Sequence, residues 1–270
     1  MLNPRYQILT TLSQNAKTIV YQALVQPDRT PVVLKILTSN YPSTADIARL
    51  KHEYEIVSGL DIPGVVTAYG FDESQGKPIL VLENFGGRDL GDWLRSGALS
   101  LERILWIGEQ LAETLGQLHQ KSTTHKDIKP QNIIFNPETE QLKLIDFSIA
   151  SRLSKENPTI ANPNLLEGTL PYMSPEQTGR MNRAIDYRTD FYSLGVTLYE
   201  LLTGKVPCAS NDPMEVIHCH IAKEPLPPHL VNPEIPEIVS TIILKLLAKN
   251  AEDRYQSAYG IKADLATCLS

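Results

Sequence analysis

With 270 residues, 42% of them hydrophobic and 21% charged, the chain can bury a sizeable core and has the make-up of an ordinary globular protein. A net charge of -6 argues against nucleic acid as the main partner, and no apolar run approaches the length that crosses a bilayer. The three cysteines, Cys208, Cys219 and Cys268, show no paired spacing and the N-terminus carries no basic-then-apolar leader, so a reducing, cytoplasmic location is expected.

Tyr6 to Leu12 and Ile19 to Val25 read as two strands with apolar alternation, joined by the polar turn Ser13-Gln14-Asn15-Ala16-Lys17-Thr18. Pro31 to Leu37 reads as a buried strand interrupted by Lys35, which is costly there unless paired or placed at a site. A lysine snorkelling from an edge strand is the bland alternative. Ser43 to Gly59 has helical periodicity in Ile47, Leu50, Tyr54 and Val57, with Gly59 as a stop signal; either Glu53 or Glu55 can face Lys35. Val66 to Phe71 and Pro78 to Glu83 complete a five-stranded antiparallel sheet, and Glu83-Asn84-Phe85-Gly86-Gly87 follows as a linker turn. Ser100 to Lys121 is a long amphipathic helix capped by Ser100.

The helix leads into His125-Lys126-Asp127-Ile128-Lys129-Pro130-Gln131-Asn132, which is followed by two short apolar strands, Ile133 to Phe135 and Leu142 to Ile145, and then by Asp146. A hairpin of this kind pins the loop before it and the aspartate after it on one side of a sheet. These residue types suit phosphoryl transfer, where the protein positions a nucleophile and neutralises phosphate charge. Asp127 can accept a proton from an attacking hydroxyl, and Lys129 can meet the transferred group. Asn132 and Asp146 offer hard oxygen ligands that suit magnesium. A solvated loop with an Asx turn is the bland reading of any one of them.

Further on, Ser154 to Asn164 is polar with two prolines and is expected to be mobile. Asp190 to Gly204 is the most apolar helix, with Asp190 suited to its dipole. Helices are also expected at Met214 to Ala222, Pro236 to Ala248 and Ser257 to Leu269, with Pro225 to Pro228 as a stiff connection. His218-Cys219-His220 superficially offers metal ligands, but neighbours on a helix point apart and do not converge.

The run from His125 to Asn132 resembles the catalytic loop of protein kinases, H-R-D-x-K-P-x-N, and Asp146-Phe147-Ser148 resembles their D-F-G triplet. The resemblance extends over the whole chain. It implies a single α+β, bilobal, protein-kinase-like domain: an N-lobe of about 1–83 with a five-stranded sheet and one helix, a hinge at 84–87, and a mainly helical C-lobe at 88–270. It implies ATP and Mg2+, with Asp127, Lys129, Asn132, Lys35 and Glu53 as catalytic residues and Asn132 and Asp146 on the metal. Around the nucleotide it places Leu12, Ser13, Asn15, Val20, Val33, Lys35, Glu83, Phe85, Asp89 and Asp146. Backbone groups of Glu83 and Phe85 would meet adenine, Leu82 would guard the back pocket, and Asp89 would face the ribose.

The family spacing pairs Lys35 with Glu53 and leaves Glu55 solvated. Ser13, Asn15 and Thr18 take the three glycine positions of the lid over the phosphates, where their side chains would supply donors in place of bare backbone. Thr169 is expected to bridge Asp127 and Lys129, Glu176 to form a buried pair with Arg254, Asp190 to hold the catalytic-loop backbone, and His125 to be a packed structural residue. Lys126 stands where the family has Arg and grips phosphate less well. The resulting hypothesis, that activity does not strictly require a phosphate on the segment after Asp146, is tested by mutating Ser154, Thr159 and Thr169 singly and measuring turnover; a need for phosphate at Ser154 or Thr159 would overturn it. Glu176 to Arg188 resembles a segment of large bacterial sensor proteins whose Ser/Thr kinase domain precedes further domains, although a solvated basic face explains its arginines equally. The expected function is a Ser/Thr protein kinase acting on a protein substrate in bacterial signalling. The alternative is a weakly active or inactive ATP-binding regulatory module, motivated by the glycine-free lid and Ser148.

Overall fold

A computed structural model describes residues 4–74, 76–97, 99–152, 168–181 and 183–269. The first three strands, β1 (Tyr6–Gln14), β2 (Thr18–Val25) and β3 (Thr30–Leu37), join β4 (Ala68–Ser74) and β5 (Lys77–Glu83) in an antiparallel sheet of order β1-β2-β3-β5-β4. The period-two alternation of β3 decides what its lysine does. Val32, Leu34 and Ile36 pack with Tyr6, Ala23, Ile79 and Val81 on the outer face. Val33 and Lys35 therefore turn inward, opposite Leu82 and Leu80 of β5, while Val20 of β2 pairs with Lys35 from the other side. Lys35 lies on a central strand, so the edge-strand alternative fails.

Helix α1 (Thr44–Val57) starts where the Ser43 hydroxyl accepts the Asp46 amide, and buries Leu50, Glu53, Ile56 and Val57 along one stripe. Glu55 faces away, with its side chain 59% exposed beside Lys51. The helical period thus selects Glu53 for the sheet side.

Below the sheet, β6 (Arg88–Asp89) leads into α2 (Leu90–Ser96), which the hydrophobic pattern leaves unmarked. Its ends are nonetheless written in the chain: Asp89 caps the Asp92 amide, and Gly97 closes the helix at φ 63°. Helix α3 (Leu101–Gln120) follows with Ser100 at its N-cap, as expected. The hairpin β7 (Ile133–Asn136) and β8 (Gln141–Leu144) joins β6 in a three-stranded sheet. Leu144 ties it upward, accepting from Val66 N at 3.0 Å and donating to Gly64 O at 2.8 Å.

The remaining helices are α4 (Arg188–Thr203), α5 (Pro213–Ala222), α6 (Pro228–Val231), α7 (Glu237–Leu246) and α8 (Ala258–Leu269). Helix α4 is buried on nearly every side, which accounts for its unbroken apolar run. The α+β architecture of a sheet with one helix above a mainly helical body matches the expectation. No helix among the described residues is long and apolar enough to cross a membrane.

One expectation is overturned. Cys208 and Cys219 form a disulfide, with Cα atoms 5.8 Å apart, joining the turn after α4 to α5. Their sequence separation of 11 gives no recognisable pattern, and only the packing of α5 brings them together. His218 points outward and His220 inward from the same helix, so the three residues do not converge, as expected.

Glu176 and Arg254 form the buried pair, at 2.7 and 2.8 Å, with side-chain exposures of 4% and 0%. The guanidinium also donates to Ala248 O, Arg188 O and Lys249 O, and Glu176 accepts from the Thr189 hydroxyl. Burial pushes the Glu176 carboxyl up, but the Arg254 hydrogen bonds outweigh that and hold it below the usual carboxylate range. Removing one partner strands a buried charge. Arg254→Ala is expected to lower the unfolding free energy by about 3–5 kcal/mol, read from urea denaturation; a loss below about 1 kcal/mol, the scale of an exposed pair, would contradict the assignment.

Candidate active site

Asp190, completely buried in the first turn of α4, organises the loop after α3. Its two oxygens accept the amides of His125 at 2.9 Å and Lys126 at 2.8 Å, and His119 Nε2 lies 2.9 Å away. Lys126 sits there at φ 68°, a left-handed conformation that a non-glycine residue keeps only when its surroundings impose it. His125 packs edge-on against Phe147, its Nε2 donating to Ile145 O at 3.1 Å and its Nδ1 accepting from Asp127 N at 3.2 Å. It is the packed residue expected.

Asp127 is consequently fixed on every side. Its Oδ1 accepts from the Thr169 amide (3.1 Å) and hydroxyl (2.9 Å), and its Oδ2 accepts from Lys129 Nζ (2.7 Å) and Asn132 Nδ2 (2.9 Å). Lys129 also donates to the Thr169 hydroxyl at 2.6 Å, so Thr169 bridges the two as expected. Gly168 precedes it at φ 111°, where a side chain would be strained. Asn132 commits its amide nitrogen to Asp127, donating to the backbone O as well as to Oδ2, both at 2.9 Å. Ile145 N donates to Asn132 O at 3.0 Å, so Asp146 follows directly beside it.

On the sheet side, Lys35 Nζ donates to Glu53 at 2.7 and 3.0 Å and to Asp146 at 2.9 Å. Burial alone would push the Lys35 ammonium down, but the two carboxylates hold it above its ordinary value. Burial pushes the Glu53 carboxyl up to about 7 against the pull of Lys35. Asp146 goes the other way. Burial opposes its ionisation, yet Lys35 and a hydrogen bond from the Ser148 hydroxyl hold it below the usual carboxylate range.

A cavity of about 350 Å³ lies under the β1–β2 turn, lined by Asn15, Lys17, Lys35, Glu53, Asp146 and Ser148 among others. In the turn, Asn15 Oδ1 accepts the amides of Lys17 and Thr18, both at 2.8 Å, and the Thr18 hydroxyl at 3.3 Å. The Asn15 oxygen thus shapes the turn, and Lys17 adds an ion pair to Asp46 of α1 at 3.4 Å. Leu12 and Ser13 stay exposed on β1, while Val20 and Val33 are half-buried on the inner face.

In the linker, Glu83 N donates to Thr67 O at 2.9 Å and its carboxylate takes Lys143 at 2.6 Å. Phe85 O accepts from Asn136 Nδ2 at 2.7 Å, and Asp89 Oδ1 is engaged as the α2 cap. Sequence reasoning missed Asn136, the Ser148 hydroxyl and His220, none of which carries a local signal. Of the arginines between 176 and 188, Arg183 pairs with Glu252 and Arg188 with Asp186 at 2.7 Å, so they are not a bare basic face. Ser154 and Thr159, with the rest of 153–167, lie outside the described residues.

The chain matches the protein kinase domain family over residues 6–264. It belongs to that family, on its serine/threonine branch. Similar curated proteins include a probable serine/threonine-protein kinase of Clostridium perfringens, CPE1738, 34% identical over 98% of this chain and 38% of its own length. PrkC of Bacillus subtilis is 33% identical over 99% and 41%, and PknB of Mycobacterium tuberculosis 30% over 98% and 43%. The chain thus spans about two fifths of the length of these relatives.

The segment carrying Thr169 is held from α5. His220, fully buried, donates from Nε2 to Leu170 O and accepts from the Tyr192 hydroxyl at Nδ1, both at 2.9 Å. Burial pushes the ring from its ordinary 6.5 down to about 4. The unfolded chain therefore binds a proton between these values that the folded chain refuses, so stability is full above about 6.5 and falls as the pH drops toward about 4. At full extent the loss is about 3 kcal/mol, from 1.36 kcal/mol per unit. His220→Gln is expected to flatten this part of the stability–pH curve measured by urea denaturation; an unchanged slope would mean the ring is not titrating.

Proposed function

We propose that this kinase domain is catalytically active and transfers the γ-phosphoryl group of ATP, with Mg2+, to a serine or threonine hydroxyl of a protein substrate. The observation that carries the reading is the closed set of partners around Asp127, whose carboxylate is held by Thr169, Lys129 and Asn132 at 2.7–3.1 Å. Asp127 orients the substrate hydroxyl and accepts its proton, and Lys129 stabilises charge on the transferred group. Lys35, positioned by Glu53, meets the nucleotide phosphates. In this reading adenine meets the Glu83 carbonyl and the Phe85 amide of the hinge, between Val20, Val33 and Leu12, with Asp89 near the ribose.

The Asp146 carboxylate and the Asn132 oxygen fit Mg2+. They are hard oxygen donors, and the Ile145 amide bond to Asn132 O brings their residues side by side. When bound, the ion would neutralise phosphate charge. Lowered proton affinity keeps Asp146 ionised for that role.

The whole chain forms one catalytic domain dividing near residue 83. ATP chemistry favours a cytoplasmic setting; the Cys208–Cys219 disulfide removes the cysteine pattern as support for it. The segment Glu176 to Arg188 supports a place in a longer bacterial signalling protein with further domains, as does the share of its relatives that the chain spans. The lid supports a second reading, an ATP-binding switch with little turnover, because Asn15 and Thr18 are engaged inside the turn.

Transfer from labelled ATP with Mg2+ to a generic protein substrate separates the two. Asp127→Asn is expected to lower kcat by about 10²–10⁴-fold; no transfer in either chain, or equal transfer in both, would favour the switch. Asn15→Gly, which removes three turn hydrogen bonds, is expected to raise KM for ATP several-fold. An unchanged KM would show that the turn plays no part in nucleotide binding.

A further inference from the structure

The far end of α1 makes contacts that the catalytic reading leaves unused. A helix ends with carbonyls that have no partner within it, and a cation there also meets the negative end of the dipole. In α1 the Glu55 and Ile56 carbonyls accept from Arg152 Nη2, at 3.0 and 3.2 Å. The guanidinium reaches them only because residue 59 is glycine: a Cβ there would collide with Nη2, while the nearest atom outside Arg152 would be Ile56 O at 3.6 Å. One turn earlier, His52 Nε2 donates to Ala150 O at 2.7 Å. Ser151, between Ala150 and Arg152, exchanges two backbone hydrogen bonds of 2.9 Å with Thr124, just ahead of the catalytic loop.

We propose that Arg152 and His52 are positioning residues that fasten α1, through the gap left by Gly59, to the backbone that follows Asp146-Phe147-Ser148. Glu53 lies next to His52 on this helix, and its bond to Lys35 requires α1 to stay close to the sheet. The clamp refers that distance to Thr124, and therefore to the loop carrying Asp127. Lys35 and Asp127 are set from one frame. Displacing Arg152 lets α1 drift, which lengthens the Lys35–Glu53 contact without touching either residue.

Gly59→Ala tests this mildly, because the only obstacle to the new methyl is the end of a flexible side chain. The inference rests on the kinase reading for its functional meaning, so the main readout is hydrogen exchange of the α1 amides, which needs no turnover. Gly59→Ala and Arg152→Ala are each expected to speed exchange in the last turn of α1 about five- to tenfold, with kcat falling by a similar factor, KM for the protein substrate unchanged and the melting temperature little altered. The double variant is expected to match Arg152→Ala alone, since the methyl then displaces nothing, and Arg152→Lys to recover part of the protection. Wild-type exchange in both single variants, or a full additive effect of Gly59→Ala without Arg152, would overturn the clamp. A wild-type chain without phosphoryl transfer would instead overturn the proposed function and leave the exchange result to judge the clamp.

Discussion

The site depends on a carboxylate that never reaches it. Asp190 is completely buried, and a buried charge is tolerable only when its surroundings supply hydrogen bonds. It finds them in two consecutive backbone amides, those of His125 and Lys126, and in His119. The dependence is mutual. Without the loop the carboxylate is stranded, and without the carboxylate the Lys126 amide loses the bond that helps to hold that residue in the left-handed region. Asp127 follows one residue later, so the backbone that aims it is fixed independently of its own side-chain contacts. Lys129, Asn132 and Thr169 converge on its two oxygens.

Around Lys35 the same physics produces two unlike carboxylates. Glu53 and Asp146 share one ammonium at similar distances, yet burial pushes Glu53 up while Lys35 and the Ser148 hydroxyl hold Asp146 down. The shared ammonium does not separate them; burial and the Ser148 hydroxyl do. Both border the cavity, but the Glu53 side chain is only 2% exposed whereas that of Asp146 is 33% exposed. The serine that replaces the family's glycine contributes to that difference.

What could be read from the chain was whatever its local period encodes. The alternation of β3 turned Lys35 inward, the periodicity of α1 offered Glu53 and Glu55, and the kinase spacing chose the residue that the helix does bury. The Glu176–Arg254 pair and the Thr169 bridge came only from the resemblance to protein kinases. Unreadable were contacts made by packing between distant stretches: Cys208 with Cys219, His220 with Leu170, Asn136 with Phe85. Helix α2 was lost for another reason. At seven residues it is too short to show a period, and only its caps mark it. Nor could the chain show that the Asn15 oxygen would take the amides of Lys17 and Thr18 and so shape the lid from within.

That turn has a consequence for time as well as for shape. A glycine lid takes its form from permissive dihedrals and is ordered chiefly when a ligand arrives, so closing carries an entropic penalty at each binding event. Here a carboxamide fixes the turn while the chain folds, and Lys17 moors it to α1. The ordering has been moved from association to folding. A turn that already has its shape has less freedom to lose when something settles beneath it.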